Sequence, residues 1–223
     1  GALANGDQTI SATLTDKAGN STSATHAFDV SLTAPVIAIN TLPVDDVINA
    51  TEKGQDLLIS STSNQPDGTR ITVTLNGVSY AATTDASGNW SVTVPAANVS
   101  VLGEASYSVT ASVTDTAGNS ANTSHSVLVD SALPQVTINA VATDDVINAA
   151  EVASGQTLSG KVSGAASGDT VTIGVGGNIY TATVQDDLSW SVNVASDVLT
   201  AIGNGDLTVT ASVTNGHGNT GTG

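Results

Sequence analysis

Apolar and polar residues alternate along much of the chain, with the period of a half-buried strand. In YSVTASVT, Tyr107, Val109, Ala111 and Val113 fall on one face and Ser and Thr on the other. RITVTLNG groups Ile71, Val73 and Leu75, then meets Asn76-Gly77, a strong hairpin-turn signal. NWSVTVP aligns Trp90, Val92 and Val94. Counted from Pro35, the pattern predicts seven strands, at about 35–41, 55–63, 69–76, 78–84, 90–95, 105–114 and 121–130. No stretch carries sustained helical periodicity.

The chain also repeats itself. VDDVINATE (Val44–Glu52) returns as TDDVINAAE (Thr143–Glu151), and TDKAGN (Thr15–Asn20) returns as TDTAGN (Thr114–Asn119) and TNGHGN (Thr214–Asn219). VTASVT stands at Val109–Thr114 and again at Val209–Thr214, and Tyr80 and Trp90 have counterparts in Tyr180 and Trp190. The offset is 99 at the acidic motif and 100 at the tyrosine, so one residue is inserted between them. A period of about a hundred residues suits a whole small domain rather than a solenoid unit. Seven short strands per period predict an all-β chain of tandem immunoglobulin-like β-sandwich domains arranged head to tail as a rod. The expected boundaries are 1–34, the last two strands of a preceding domain plus a linker; 35–130, a complete domain; and 131–223, a domain lacking its last strand. Strands running alternately down and up place the DDVINATE loop at the bottom, beside the chain's exit. The loops near Asp67, Asp85–Asn89 and Asp115–Asn119 fall at the top. The linker VDSALP (Val129–Pro134) then carries Asp130 between one domain's acidic bottom and the next domain's top loops, and Pro134 stiffens the crossing.

Composition narrows the partners. Twenty acidic residues against four Lys and Arg give a formal charge of −16, so few carboxylates find a partner within the chain. That balance argues against nucleic acid and against an anionic membrane surface, and leaves cations as partners. There is no Cys, hence no disulfide framework, and no apolar run approaches the roughly 20 residues of a membrane helix. The opening GALANGDQTI shows no signal peptide.

Asp45 and Asp46 would point to opposite faces of a regular strand, so their convergence requires a loop, with Ile48 as its apolar anchor. Asp45, Asp46, Asn49 and Glu52, and in the second copy Asp144, Asp145, Asn148 and Glu151, then offer several hard oxygen donors. Gathering carboxylates without a cation costs Coulomb energy. Calcium, which accepts 6–8 oxygens in flexible geometry, suits this set. Zinc does not, with no Cys and three scattered His, and magnesium seldom uses dedicated protein cages. Neither an EF-hand loop nor a GGxGxD repeat is present. The competing reading is that Asp and Asn cap turns and keep loops solvated. The register of the two copies, with Asp130, Asp85 and Asp115 expected near the same interface, favours calcium. Trp90 and Trp190 share the parity of inward valines and read as core. His26, His125 and His217 have no nucleophile in pattern. TDTAGN is a tight connection in which Gly118 permits positive φ. GVGGN (Gly174–Asn178) joins strands and is no phosphate loop.

Together DDVINA..E, Y…W.V.V, VTASVTDTAGN and VDSALP resemble the bacterial immunoglobulin-like repeats of giant adhesins exported by type I secretion. The resemblance spans essentially the whole chain. It implies a secreted, very long array at the bacterial surface, whose distal end engages host-cell glycans through other parts of the parent protein. It implies calcium held by aspartates at domain junctions and stiffening the rod. By position, Asp45, Asp46 and Glu52 with Asp130 match one junction site, and Asp144, Asp145 and Glu151 repeat it. Ser31 replaces Asp130 in the first linker, and Asn215 replaces the Asp of TDTAGN. The expectation is a monomeric, non-enzymatic stalk segment whose partners are calcium and its neighbouring domains. The alternative is a single sandwich that binds host glycan or receptor directly.

Overall fold

In the computed structural model, residues 3–43 and 45–223 are described. Gly1, Ala2 and Val44, the last of them the first residue of VDDVINATE, lie outside the described residues. The chain divides into two compact units: Gly1–Asp46, Leu57–Val94 and Ser106–Val127 form one, and Val47–Asp56, Pro95–Ala105 and Leu128–Gly223 form the other.

The first unit opens with an antiparallel hairpin, β1 (Gly6–Thr15) and β2 (Ser21–Val30). β3 (Val47–Ile48) belongs to the second unit. The first unit continues with β4 (Leu57–Thr62), β5 (Arg70–Leu75), β6 (Val78–Thr83) and β7 (Asn89–Val94). A four-residue helical turn, α1 (Ala96–Val99), belongs to the second unit and precedes the long strands β8 (Ala105–Thr114) and β9 (Ser120–Val129), which lie in the first unit except for Ala105 and Leu128–Val129. β4 pairs with β7, while β5 pairs antiparallel with both β6 and β8. The buried positions are those the alternation selects: Ile71, Val73 and Leu75 on β5, and Val109, Ala111 and Val113 on β8. Asn76 (φ 48°) and Gly77 (φ 76°) form the β5–β6 turn with both residues left-handed, as a two-residue hairpin requires.

The expected strand at 35–41 is not a regular strand. Ile37 makes one isolated bridge to Ser63, and Ala38 and Asn40 donate their N–H groups to Thr62 and Ser60 carbonyls at 3.1 Å. The segment therefore follows β4 through spaced single bonds rather than a full ladder.

The second unit carries β10 (Gln135–Val136), α2 (Ala149–Ser154), β11 (Gln156–Ser163), β12 (Thr170–Val175) and β13 (Asn178–Thr183). β14 (Ser189–Val194), α3 (Ser196–Ile202), β15 (Val209–Thr214) and β16 (Thr220–Thr222) complete it. Its sheets run β10-β11-β14 and β13-β12-β15-β16. Val171, Ile173, Val175, Trp190, Val194, Ala211 and Val213 share one core. β4 and β11 keep the 99-residue offset, since Ser61 faces Trp90 and Gly160 faces Trp190, while β5 and β12 keep 100. The inserted residue thus sits in the loop after β11. The helical turns were invisible to periodicity because none exceeds seven residues. Among the described residues, no helix is long and apolar enough to cross a membrane.

Candidate functional site around the linker

In the first unit the acidic loop bends through Asp46, which takes a left-handed φ of 66°. Its Oδ1 accepts the Leu42 N–H at 2.6 Å and meets His125 Nε2 at 2.6 Å. The Leu42 amide, with His125 second, holds the Asp46 carboxyl below the ordinary carboxylate range. Asp45 is exposed. In the second copy Asp145 repeats the arrangement, left-handed at φ 62° with Oδ1 accepting the Val141 N–H at 2.9 Å. Asp144 accepts the Val146 N–H at 3.1 Å.

In the second unit Ile48 is fully buried, and β3 pairs in parallel with Leu128–Val129 at the chain's exit. The Asp130 N–H extends that contact to the Ile48 carbonyl at 3.1 Å. Asn49 Oδ1 accepts the Thr51 and Glu52 N–H groups, and Glu52 Oε2 accepts the Asn49 N–H at 3.0 Å. Asn148 and Glu151 make the same reciprocal cap at the start of α2.

Asp130 is met by the loop Asn215–Asn219. Its Oδ2 lies 2.5 Å from His217 Nδ1, and its carbonyl accepts the Asn219 side-chain N–H at 2.8 Å. Asn219 Oδ1 accepts the Ala50 N–H at 2.7 Å. Beside it, Lys53 Nζ stands 3.1 Å from Ser131 Oγ and 3.5 Å from Glu104 Oε1. Glu104 takes the Ser131 N–H at 2.9 Å and also its hydroxyl. The Ser131 hydroxyl, then its amide, keeps the Glu104 carboxyl low.

Asp85 and Asp115 each close a short loop. Asp85 Oδ1 accepts the Ser87 and Asn89 N–H groups, and Asp115 Oδ1 accepts those of Ala117 and Asn119. The side-chain amides of Asn89 and Asn119 are the largest influence lowering these two carboxyls. Asn215 performs the same closure, accepting the His217 and Asn219 N–H groups. A neutral amide oxygen can therefore take the place of the carboxylate in this closure.

Among the described residues, no group of three or more His, Cys, Asp or Glu side chains stands close enough to hold a metal ion. Asp46, Glu52, Asp85, Asp115, Asp144, Asp145 and Glu151 all accept backbone amides, the turn-capping role weighed against calcium above. Of the expected set, the structure brings Asn49, Glu52 and Asp130 onto adjoining segments of the second unit. Sequence reasoning missed Asn219 and its counterpart Asn119, although a terminal Asn recurs in all three TDxxGN-type motifs. It also missed Lys53 and Glu104, which carry no repeat signal, and the pairing of His125 and His217 with aspartates. Trp90 and Trp190 are buried, which removes them as exposed sugar platforms.

Residues 44–131 match the family description of a bacterial Ig-like domain. No curated protein matches the chain. Among solved structures it is similar to a Ca2+-stabilized adhesin that helps an Antarctic bacterium reach out and bind ice. The two are 34% identical with a TM-score of 0.58, covering 98% of this chain and 55% of that one. It is also similar to a 1.5-MDa bacterial ice-binding adhesin, at 30% identity and TM-score 0.58, covering 98% of this chain and 72% of that one. The chain spans about half the length of the first relative.

Proposed function

From the premise that this chain belongs to the bacterial Ig-like domain family, we propose that it is a structural stalk segment of a large extracellular bacterial adhesin, with no catalytic role. The motifs DDVINA..E and VDSALP are similar to those of the Salmonella non-fimbrial adhesin, whose export by type I secretion we extend to this chain. A distal tip elsewhere in the parent protein would engage the host surface or its glycans. The segment itself would act as a monomeric, head-to-tail spacer over the domains 35–130 and 131–223, preceded by the hairpin and linker of 1–34.

We propose further that calcium rigidifies it. The donor set fits: carboxylates, amide oxygens and carbonyls are the hard ligands calcium takes, with water and backbone oxygen completing a shell of roughly 6–8. Asn49, Glu52 and Asp130 in the second unit, Asp45 and Asp46 in the first, and Asp144, Asp145, Asn148 and Glu151 in the second copy are the residues that would hold it. Asp85 and Asp115 are secondary candidates. Bound calcium would supply charge neutralisation to carboxylates that, at −16 overall, find few cations within the chain. The chain's own residues do the positioning: Ile48 buries the loop, the Asn49–Glu52 cap sets its turn, and Asp130 is fixed through its N–H to Ile48.

The observation that carries this reading is the likeness over 98% of the chain to a Ca2+-stabilized adhesin, together with the linker residue Asp130, whose N–H donates to the Ile48 carbonyl at 3.1 Å. Small-angle scattering with about 10⁻³ M calcium and then with chelator tests it, since extracellular modules bind in that range. The maximum dimension should lengthen and sharpen with calcium. An unchanged profile, with no calorimetric binding lost in Asp130→Ala, defeats the calcium proposal.

A further inference from the structure

The Asn215–Asn219 loop does something at the linker that calcium does not explain. Asn219 is 2% exposed, yet both ends of its side-chain amide are bonded to segments far away in sequence. Its carbonyl oxygen takes the Ala50 N–H at 2.7 Å and its amino group donates to the Asp130 carbonyl at 2.8 Å. One planar amide thus reads an acidic-loop donor and a linker acceptor at once. Buried polar groups are costly when unpaired, so the amide tolerates little displacement of either segment. The loop that presents it is preformed. Asn215 Oδ1 accepts the Asn219 N–H at 3.0 Å, and the Asn215 N–H donates to the Asn219 carbonyl at 2.9 Å. Gly218 supplies the left-handed φ of 79° that the loop turns through.

The first unit holds an independent copy of half of this contact. Asn119, the counterpart of Asn219, donates its side-chain N–H to the Ser31 carbonyl at 3.0 Å. Ser31 is the counterpart of Asp130 and brings no carboxylate. The bond from loop to linker therefore recurs where the linker's proposed calcium donor is missing.

We propose that Asn119 and Asn219, the terminal Asn of their TDxxGN-type loops, are positioning residues that dock each loop onto the incoming linker by direct hydrogen bonds, with no ion required. At Asn219 the docking also captures the acidic loop of the preceding repeat through Ala50. The partner surface is the linker carbonyl and the Ala50 N–H, recognised by one neutral side-chain amide. The proposal rests on the stalk reading above for its purpose, and separates the junction into a permanent amide lock and a calcium-dependent stiffening.

The test is hydrogen exchange at the Ala50 amide of the full chain, followed residue by residue in excess chelator and then in calcium. The lock predicts that Ala50 is protected in chelator. Asn219→Asp keeps the shape and the acceptor but loses the donor and sets a carboxylate beside Asp130. It should speed Ala50 exchange about tenfold, the equivalent of one hydrogen bond, and leave Ile173 and Val213 unchanged. Asn119→Asp should leave Ala50 as it was. A wild-type Ala50 amide that exchanges unprotected in chelator, or is protected only in calcium, overturns the lock without touching the stalk reading. Scattering that ignores calcium while Ala50 stays protected defeats the calcium reading and leaves the lock standing. The wild-type measurement decides even if Asn219→Asp unfolds the chain.

Discussion

The same six residues, DDVINA, meet two different fates. In the first copy Val47 and Ile48 form a parallel ladder with Leu128–Val129, and Ile48 has no exposed surface. In the second, Val146 is 63% exposed, Ile147 is only half-buried, and no strand forms there. The cap that follows is preserved in both, Asn49–Glu52 and Asn148–Glu151. What differs is the pairing: Leu128–Val129 of β9 run alongside the first copy, and no described strand pairs with Val146–Ile147 of the second. Capping depends on neighbours three residues away, so it travels with the motif. The ladder depends on a partner some eighty residues downstream, so it appears only where that partner runs alongside.

A second pair separates the two tryptophans. Trp190 Nε1 donates to the Thr137 carbonyl at 3.2 Å, while Trp90 Nε1 is buried with no acceptor among the described residues. The residue facing each ring decides this. Gly160 leaves room for the Thr137 carbonyl, which a Cβ would meet at 1.8 Å. At the matching position Ser61 turns its hydroxyl to Asn40 Oδ1 at 2.9 Å, and a cleft of about 810 Å³ lined in part by Ser61, Asn40 and Trp90 opens there.

The largest break in the first comparison is Ile48→Ala, which should cost about 2–5 kcal/mol as a buried aliphatic truncation. Ile147→Ala should cost clearly less, because its side chain already meets solvent. Chemical denaturation of both variants checks the difference, and equal losses would remove the explanation by burial. Next, Gly160→Ser should displace the Thr137 carbonyl and orphan Trp190 as Trp90 is orphaned, costing about 1–3 kcal/mol. Indole N–H exchange by NMR reads the lost bond directly. Smaller and of opposite sign is Leu188→Gly. Leu188 holds φ 62° where its counterpart Gly88 sits at φ 80°. Relieving a left-handed non-glycine should raise stability by about 1 kcal/mol, seen as a higher melting temperature.

The finest contrast is in acid. Asp115 is held low mainly by the Asn119 side chain. A carboxyl lowered on folding stabilises fully above its unfolded range, and that stabilisation disappears as pH falls through the lowered value. Its loop should therefore loosen below about pH 4, reported by the Gly118 amide, which donates to the Asp115 carbonyl. The Gly218 amide, in a loop closed by Asn215, should show no matching step. Identical acid responses would mean that the charge at this position matters less than its geometry implies.

Much of this molecule could be read before any coordinates. Period-two alternation named the inward residues of β5 and β8, because burial on one face leaves its signature on every second side chain. Asn76-Gly77 named its turn, since few residue pairs accept two successive left-handed conformations. Ile48 was legible as an anchor and both tryptophans as core. The segment 35–41 misled because alternation reports a face and not a complete ladder. The short helices α1, α2 and α3 were too brief to show a period. Around the linker, sequence drew attention to charge, while much of the contact runs through neutral amides. Asn119 and Asn219 recur in register, yet nothing local tells a turn-closing Asn from one that reaches across to another segment.

Composition and pattern thus determined, without help, an acidic, all-β, repeating chain with small inward faces, for these follow from local sterics and from which side chains water rejects. Only the tertiary structure decided which amide meets which carbonyl. Asn219 at Asp130 and Ala50, Asn119 at Ser31, and Lys53 with Glu104 at Ser131 join residues that sequence separates by tens of positions. Hydrogen bonds of fixed length and direction are satisfied only once the strands have set those positions in place.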